Sequence, residues 1–117
     1  MAGITTHVLD AERGRPVAGV RIDLSVLEGG EWRHLKTATT NADGRTDTPM
    51  VPPAEAKTGM YQLEFHVAEV FAARAGTGAV DAFVDDTVVR FSVFDAKQHY
   101  HVPLLCTPGS CTTYRGS

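Results

Sequence analysis

Five histidines are spread over the 117 residues of this chain, and two of them, His99 and His101, stand one residue apart in "QHYHVPLL". On a strand alternate side chains share a face, so both imidazoles would point the same way. Three tasks suit such a pair: gripping a metal, moving a proton, or decorating a wetted surface. His99, His101, Pro103 and Leu105 fall on one face, and Tyr100, Val102 and Leu104 on the other. The second set is uniformly apolar or aromatic and is the natural core face. The histidine face carries too much apolar surface for free solvent, which predicts a covered surface, either a pocket or a subunit interface. Pro103 cannot donate to a sheet ladder, so the spacing also predicts an edge or a bulge there.

A metal would need further ligands, and His7, His34 and His66 are the remaining histidines. No second cluster of cysteine, histidine or carboxylate at ligand spacing accompanies the pair, which argues against a metal site. His7 in "THVLD" and Arg45 just past "NADG" are each unremarkable alone. The ending is less ordinary. Chain ends commonly fray, yet Thr112-Thr113-Tyr114 reads as strand, and a tail Tyr114-Arg115-Gly116-Ser117 tied into a site would explain it.

The elements that would position these residues follow mostly a period of two. Ile4 to Leu9 reads as a strand, closed by Asp10 and the turn-like "ERGRPVAG". Val20, Ile22, Leu24 and Val26 alternate against Arg21, Asp23 and Ser25 as a half-buried strand. Glu28-Gly29-Gly30 breaks it, Trp32 to Thr40 forms the next strand, and Asp43-Gly44 favours a tight reversal. After a looser stretch with Pro49, Pro52 and Pro53, Tyr61 to Val67 alternates again. "AEVFAARAG" has helix formers and ends at Gly76, which predicts one short helix. Val89 to Val93, "QHYHVPLL" and Cys111 to Tyr114 complete a set of seven to eight strands. An all-β fold follows, an antiparallel β-sandwich with one short helix. There is no repeat, low-complexity segment or linker, and the length suits a single domain over residues 1–117.

Composition excludes several functions. A net charge of -3 with scattered signs leaves no basic stripe for nucleic acid and no cationic amphipathic segment for a membrane surface. No apolar run approaches the ~18 residues of a membrane span. "MAGITTHVLD" has neither the basic nor the apolar region of a secretory signal, and the chain ends in "RGS" rather than a peroxisomal tripeptide. Two cysteines five apart, Cys106 and Cys111, make a poor disulfide framework, so the expectation is reduced thiols in a cytoplasmic protein.

The same segments together resemble the transthyretin-related family in its 5-hydroxyisourate hydrolase branch. The resemblance runs from "THVLD" and "GRPVAGV", through "TTNADGR", "YQLEFH" and "VVRFSV", to "HYHVPLL" and the terminal "YRGS". The last two together are highly specific, whereas the first is shared with the hormone-carrier branch. The resemblance implies a transthyretin-like sandwich and a homotetramer, a dimer of dimers whose central channel carries paired sites. Its site residues map to His7, Arg45 and His101 as catalytic. Substrate binding falls to His7, Arg45, Tyr114, Arg115 and Ser117. It implies no metal and no cofactor, and a small-molecule substrate, 5-hydroxyisourate, opened by water to 2-oxo-4-hydroxy-4-carboxy-5-ureidoimidazoline. His99 becomes a rim residue that tunes charge. Carriers differ at the positions of His7, Arg45 and His101 and continue past that of Tyr114, so a non-catalytic small-ligand carrier is the alternative. Enzyme members commonly read "SPYGYSTYRGS" where this chain has "TPGSCTTYRGS". Gly109 and Cys111 thus replace aromatics near the expected dimer contact.

The implied chemistry is coherent. A histidine near neutrality can accept a proton, and a guanidinium and a second imidazole beside it disfavour imidazolium. Arg45 never deprotonates and can hold a carbonyl or oxyanion with two donors. Which histidine is the base stays open.

Overall fold

The computed structural model describes residues 3–75 and 85–116, which form two four-stranded sheets. The first contains β1 (Gly3–Asp10), the short β2 (Arg15–Pro16), β7 (His99–Thr107) and β8 (Ser110–Thr113), in the order β2-β1-β7-β8. The second contains β3 (Arg21–Glu28), β4 (Glu31–Thr39), β5 (Gly59–Phe65) and β6 (Thr87–Val93), in the order β4-β3-β5-β6. A 3-10 turn at Pro53–Glu55 and one helix, α1 (Val67–Ala75), complete the described elements. Gly76, expected to end the helix, lies outside the described residues.

Alternation dictates the layers. Ile22, Leu24, Leu63 and Phe65 face inward from β3 and β5, and Ile4, Val8, Tyr100, Val102 and Leu104 meet them from β1 and β7. Each such side chain stabilises the fold by roughly 1.5–3 kcal/mol through removal from water. Thr6 is a buried polar exception, and its hydroxyl donates to the Val102 carbonyl at 2.6 Å. On α1, Val67 and Phe71 lie one turn apart and are both buried, the stripe that seats a short helix.

Two features depart from the expected antiparallel sandwich with reduced thiols. β1 and β7 run parallel, side by side at the centre of their sheet, while the other strand pairs are antiparallel. Period-two patterning reports which face is buried and not the direction of a neighbour, so it could not reveal this. The cysteines are the second correction. Cys106 and Cys111 are cross-strand partners in the β7–β8 hairpin and are joined in a disulfide. A separation of five places them face to face across a two-residue reversal at Pro108-Gly109, so the reduced-thiol argument for a cytoplasmic location falls away.

Pro103 behaves as its chemistry requires. β8 pairs with β7 as far as Leu104–Thr113, and the ladder lapses where Pro103, opposite Tyr114, has no N–H to give. It resumes in the same register at the His101–Gly116 bridge. Thr113 closes the gap by donating its hydroxyl to the Pro103 carbonyl at 2.8 Å.

Candidate active site

The parallel register decides which side chains meet. Gly3 pairs with His99, Thr5 with His101 and His7 with Pro103, so Thr5, His7, His99 and His101 share the outer face of the first sheet. The His7 and His101 rings lie 6.5 Å apart between centroids, and those of His99 and His101 are also 6.5 Å apart. All three histidines are half-buried. The Thr5 hydroxyl sits between two of them, 2.8 Å from His99 Nε2 and 2.9 Å from His101 Nδ1.

Arg45 arrives from the turn after β4. The Asn41 side-chain oxygen accepts from the Asp43 and Arg45 N–H groups, and its carbonyl accepts from Gly44 N–H, a turn built by asparagine capping its own backbone. Gly44 is indispensable there. Its φ is +73°, and a Cβ would lie 2.4 Å from the Val8 carbonyl oxygen and 3.2 Å from the His7 ring. This close approach lets Gly44 accept from Val8 N–H and brings Arg45 into an isolated bridge with His7.

The electrostatics favour neutral rings. Burial holds His7 below the ordinary histidine value of 6.5, and the charge of Arg45 adds to the effect. His101 is lowered by burial first, then by Arg45, His7 and His99. The arrangement therefore offers two neutral imidazoles beside a permanent cation, able to accept and deliver protons around a polar molecule held by Arg45.

The expected tail residues fare differently. Gly116 N–H donates to the His101 carbonyl at 2.7 Å, and a Cβ on Gly116 would stand 2.7 Å from His101 Cδ2, so only glycine lets the tail lie against that ring. Tyr114 is exposed at 57%. In the single chain Arg115 is turned away from His7 and His101. Its guanidinium stacks on Tyr100 and Phe94, at 4.3 and 5.6 Å from their ring centroids. It also donates to Gln98 Oε1 and the His99 carbonyl at 2.9 and 3.0 Å. Alternation along the tail puts residue 115 on the Tyr100 face, so Arg115 clamps the chain end. Ser117 lies outside the described residues.

Thr5 is the residue that sequence reasoning missed. Thr5 sits two before His7 and so shares its face, a signal that was present but gained meaning only from the parallel register. His34 lies on β4 and His66 just past β5, each beside Asp23. Asp23, Glu64 and His66 have the spacing to hold a cation, but both His66 ring nitrogens are already engaged, by Asp23 and Asp86. A cavity of about 620 Å³ bordered by Leu24, Met50 and Tyr61 includes none of His7, Arg45 or His101. The histidine face is thus an open sheet surface in the single chain.

Comparison with known proteins adds an independent line. The 5-hydroxyisourate hydrolase of Deinococcus radiodurans is 48% identical over 98% of this chain and 96% of its own length. A solved 5-hydroxyisourate hydrolase from Klebsiella pneumoniae superposes with a TM-score of 0.77 at 35% identity, over 97% of this chain and 98% of that one. Transthyretin from Sparus aurata superposes with a TM-score of 0.87 over 99% of this chain and 97% of its own, but at 24% identity that likeness concerns the fold alone. The family model described as HIUase/Transthyretin matches residues 4–116. The chain belongs to the HIUase/Transthyretin family.

Proposed function

We propose that this chain is a hydrolase of 5-hydroxyisourate, adding water to open the ring and give 2-oxo-4-hydroxy-4-carboxy-5-ureidoimidazoline in urate breakdown. The observation that carries the reading is the meeting of His7, Arg45 and His101 on one face, in a chain whose hydrolase relatives match it from end to end. One neutral imidazole takes a proton from water, and the resulting hydroxide adds to the ring carbonyl. Arg45 stabilises the oxyanion that forms. As the carbonyl is restored the ring C–N bond breaks, and the proton taken from water is returned through the histidines to the leaving nitrogen. Tyr114 and Ser117 border the substrate, Gly116 gives the tail its approach to His101, and Arg115 anchors the tail. No step calls for a metal or a cofactor.

A single chain leaves this face uncovered, and a homotetramer, a dimer of dimers, supplies the cover. Supporting this, β6 and β8 are both edge strands, with Val88, Phe94 and Tyr114 exposed along or just beyond them. The protein acts as one domain over residues 1–117 in the cytoplasm. Among the described residues no helix is long and apolar enough to cross a membrane.

The test generates 5-hydroxyisourate in situ from urate and urate oxidase, and follows its absorbance with micromolar protein added. The protein accelerates decay, and acceleration survives a chelator. His101→Ala or Arg45→Ala lowers the rate by about 10²–10³-fold. No acceleration over spontaneous decay would leave the carrier reading in its place.

A further inference from the structure

The histidine that began as a rim residue is tied to the site by one hydroxyl. Thr5 Oγ1 lies 2.8 Å from His99 Nε2 and 2.9 Å from His101 Nδ1. A hydroxyl carries one proton, so it cannot donate to both nitrogens. When it donates to His99 Nε2 it accepts from a protonated His101 Nδ1, and His101 then has its lone pair on Nε2. When it donates to His101 Nδ1 it accepts from a protonated His99 Nε2, and His101 then carries its proton on Nε2. Thr5 therefore couples the two tautomers. The first state makes His101 a base at Nε2, and the second makes it an acid at the same atom.

We propose that Thr5 and His99 form a proton relay behind His101, which converts it from base to acid without leaving a cation on its ring. As Nε2 of His101 takes a proton from water, its Nδ1 proton moves to Thr5 Oγ1 while the Thr5 proton moves to His99 Nε2. One proton enters the chain and the charge emerges on His99, and the return step runs the same transfers backwards to protonate the leaving nitrogen.

The surroundings favour this direction. His101 is faced by Arg45 from the β4–β5 turn, by His7 from β1 and by His99 from its own strand, and the tail lies on its ring through Gly116. His99 stands two residues further along β7, about 6.6 Å more distant from the rung that Arg45 and His7 occupy. Arg115 donates to its backbone carbonyl from the other face and stacks on Tyr100. Moving the positive charge from His101 to His99 thus separates it from Arg45 and His7. Thr5 and His99 are positioning residues here, acting on substrate only through His101.

This inference rests on the proposed role of His101, and the experiment separates the two. Steady-state kinetics on 5-hydroxyisourate compare Thr5→Val, Thr5→Ser, His99→Gln and His101→Ala. Thr5→Val keeps the shape of the side chain without the proton path. His99→Gln keeps a hydrogen-bonding partner that cannot take the charge. Both lower kcat by at least about tenfold with KM little changed, and Thr5→Ser restores most of the rate. Should Thr5→Val fail to fold, His99→Gln and Thr5→Ser carry the same test. Wild-type kcat in Thr5→Val and His99→Gln, with His101→Ala inactive, overturns the relay and leaves the site standing. Near-normal turnover in His101→Ala overturns the site, and the relay with it.

Discussion

At the scale of single residues, the site depends on imidazoles that stay neutral. Burial and the Arg45 cation hold both His7 and His101 below the ordinary value of 6.5, so protonation competes with catalysis only in more acidic solution. The acid limb of kcat/KM therefore falls below about pH 6.5, the value expected of an unperturbed histidine. Replacing Arg45 by glutamine removes a cation from both rings and moves that limb upward in a pH–rate profile, alongside the drop in rate. The main candidates, His7, Arg45 and His101, were legible because the family's motifs mark them. Thr5 was not, since a threonine on a strand has no chemistry until something places two nitrogens within reach of its hydroxyl. The placement of Arg115 was not legible either. Its type fits a substrate contact, but strand alternation turns it to the Tyr100 face, where stacking on aromatic rings occupies it.

Elements were read more easily than their partners. β3 announced itself through Ile22, Leu24 and Val26, and the Asn41–Gly44 turn through its residue types. β2 did not, because two exposed residues carry no periodicity and are strand only by pairing with Leu9 and Asp10. The β7–β8 hairpin holds the most consequential surprise. Its disulfide closes a short loop, which limits its stabilisation to about 2 kcal/mol on loop-closure grounds. Its position matters more than that figure, because β8 leads directly into the tail that lies on His101. Native protein exposes no thiol to Ellman's reagent, whereas the denatured and reduced chain exposes two. Reduction lowers thermal stability and weakens activity together, and Cys106→Ser with Cys111→Ser reproduces both effects. Activity unchanged by reduction would show that the tail holds without the bridge.

Across the whole molecule, a second histidine network joins segments far apart in sequence. His66 is 8% exposed, with Nε2 2.8 Å from Asp23 on β3 and Nδ1 2.8 Å from Asp86 ahead of β6. Two carboxylates on two ring nitrogens require both to donate, so the ring is an imidazolium. Burial alone lowers its pKa, but the hydrogen bonds to Asp23 and Asp86 outweigh it and the net shift is upward. A histidine raised on folding contributes stability that is complete below its unfolded value and is lost as pH rises through its folded one. Denaturant unfolding should therefore show His66→Gln less stable than wild type by about 2–3 kcal/mol at acid pH, with the gap narrowing as pH rises past the ordinary histidine value of 6.5. A gap independent of pH would mean that His66 contributes packing and not charge. The sandwich with its one helix was legible from periodicity, whereas this network was not, since its members come from separate segments that only the folded chain brings together. The parallel pairing of β1 with β7 has a last consequence, for biosynthesis. Thr5 and His101 are 96 residues apart, so β1 leaves the ribosome long before its central neighbour exists. Until β7 arrives, one edge of β1 is an unpaired template for other chains, and pairings of such long range form slowly. A nascent or truncated chain lacking β7 would have no site at all. It would also carry an exposed edge, which makes chaperone capture, rather than loss of activity, the first sign of incomplete synthesis.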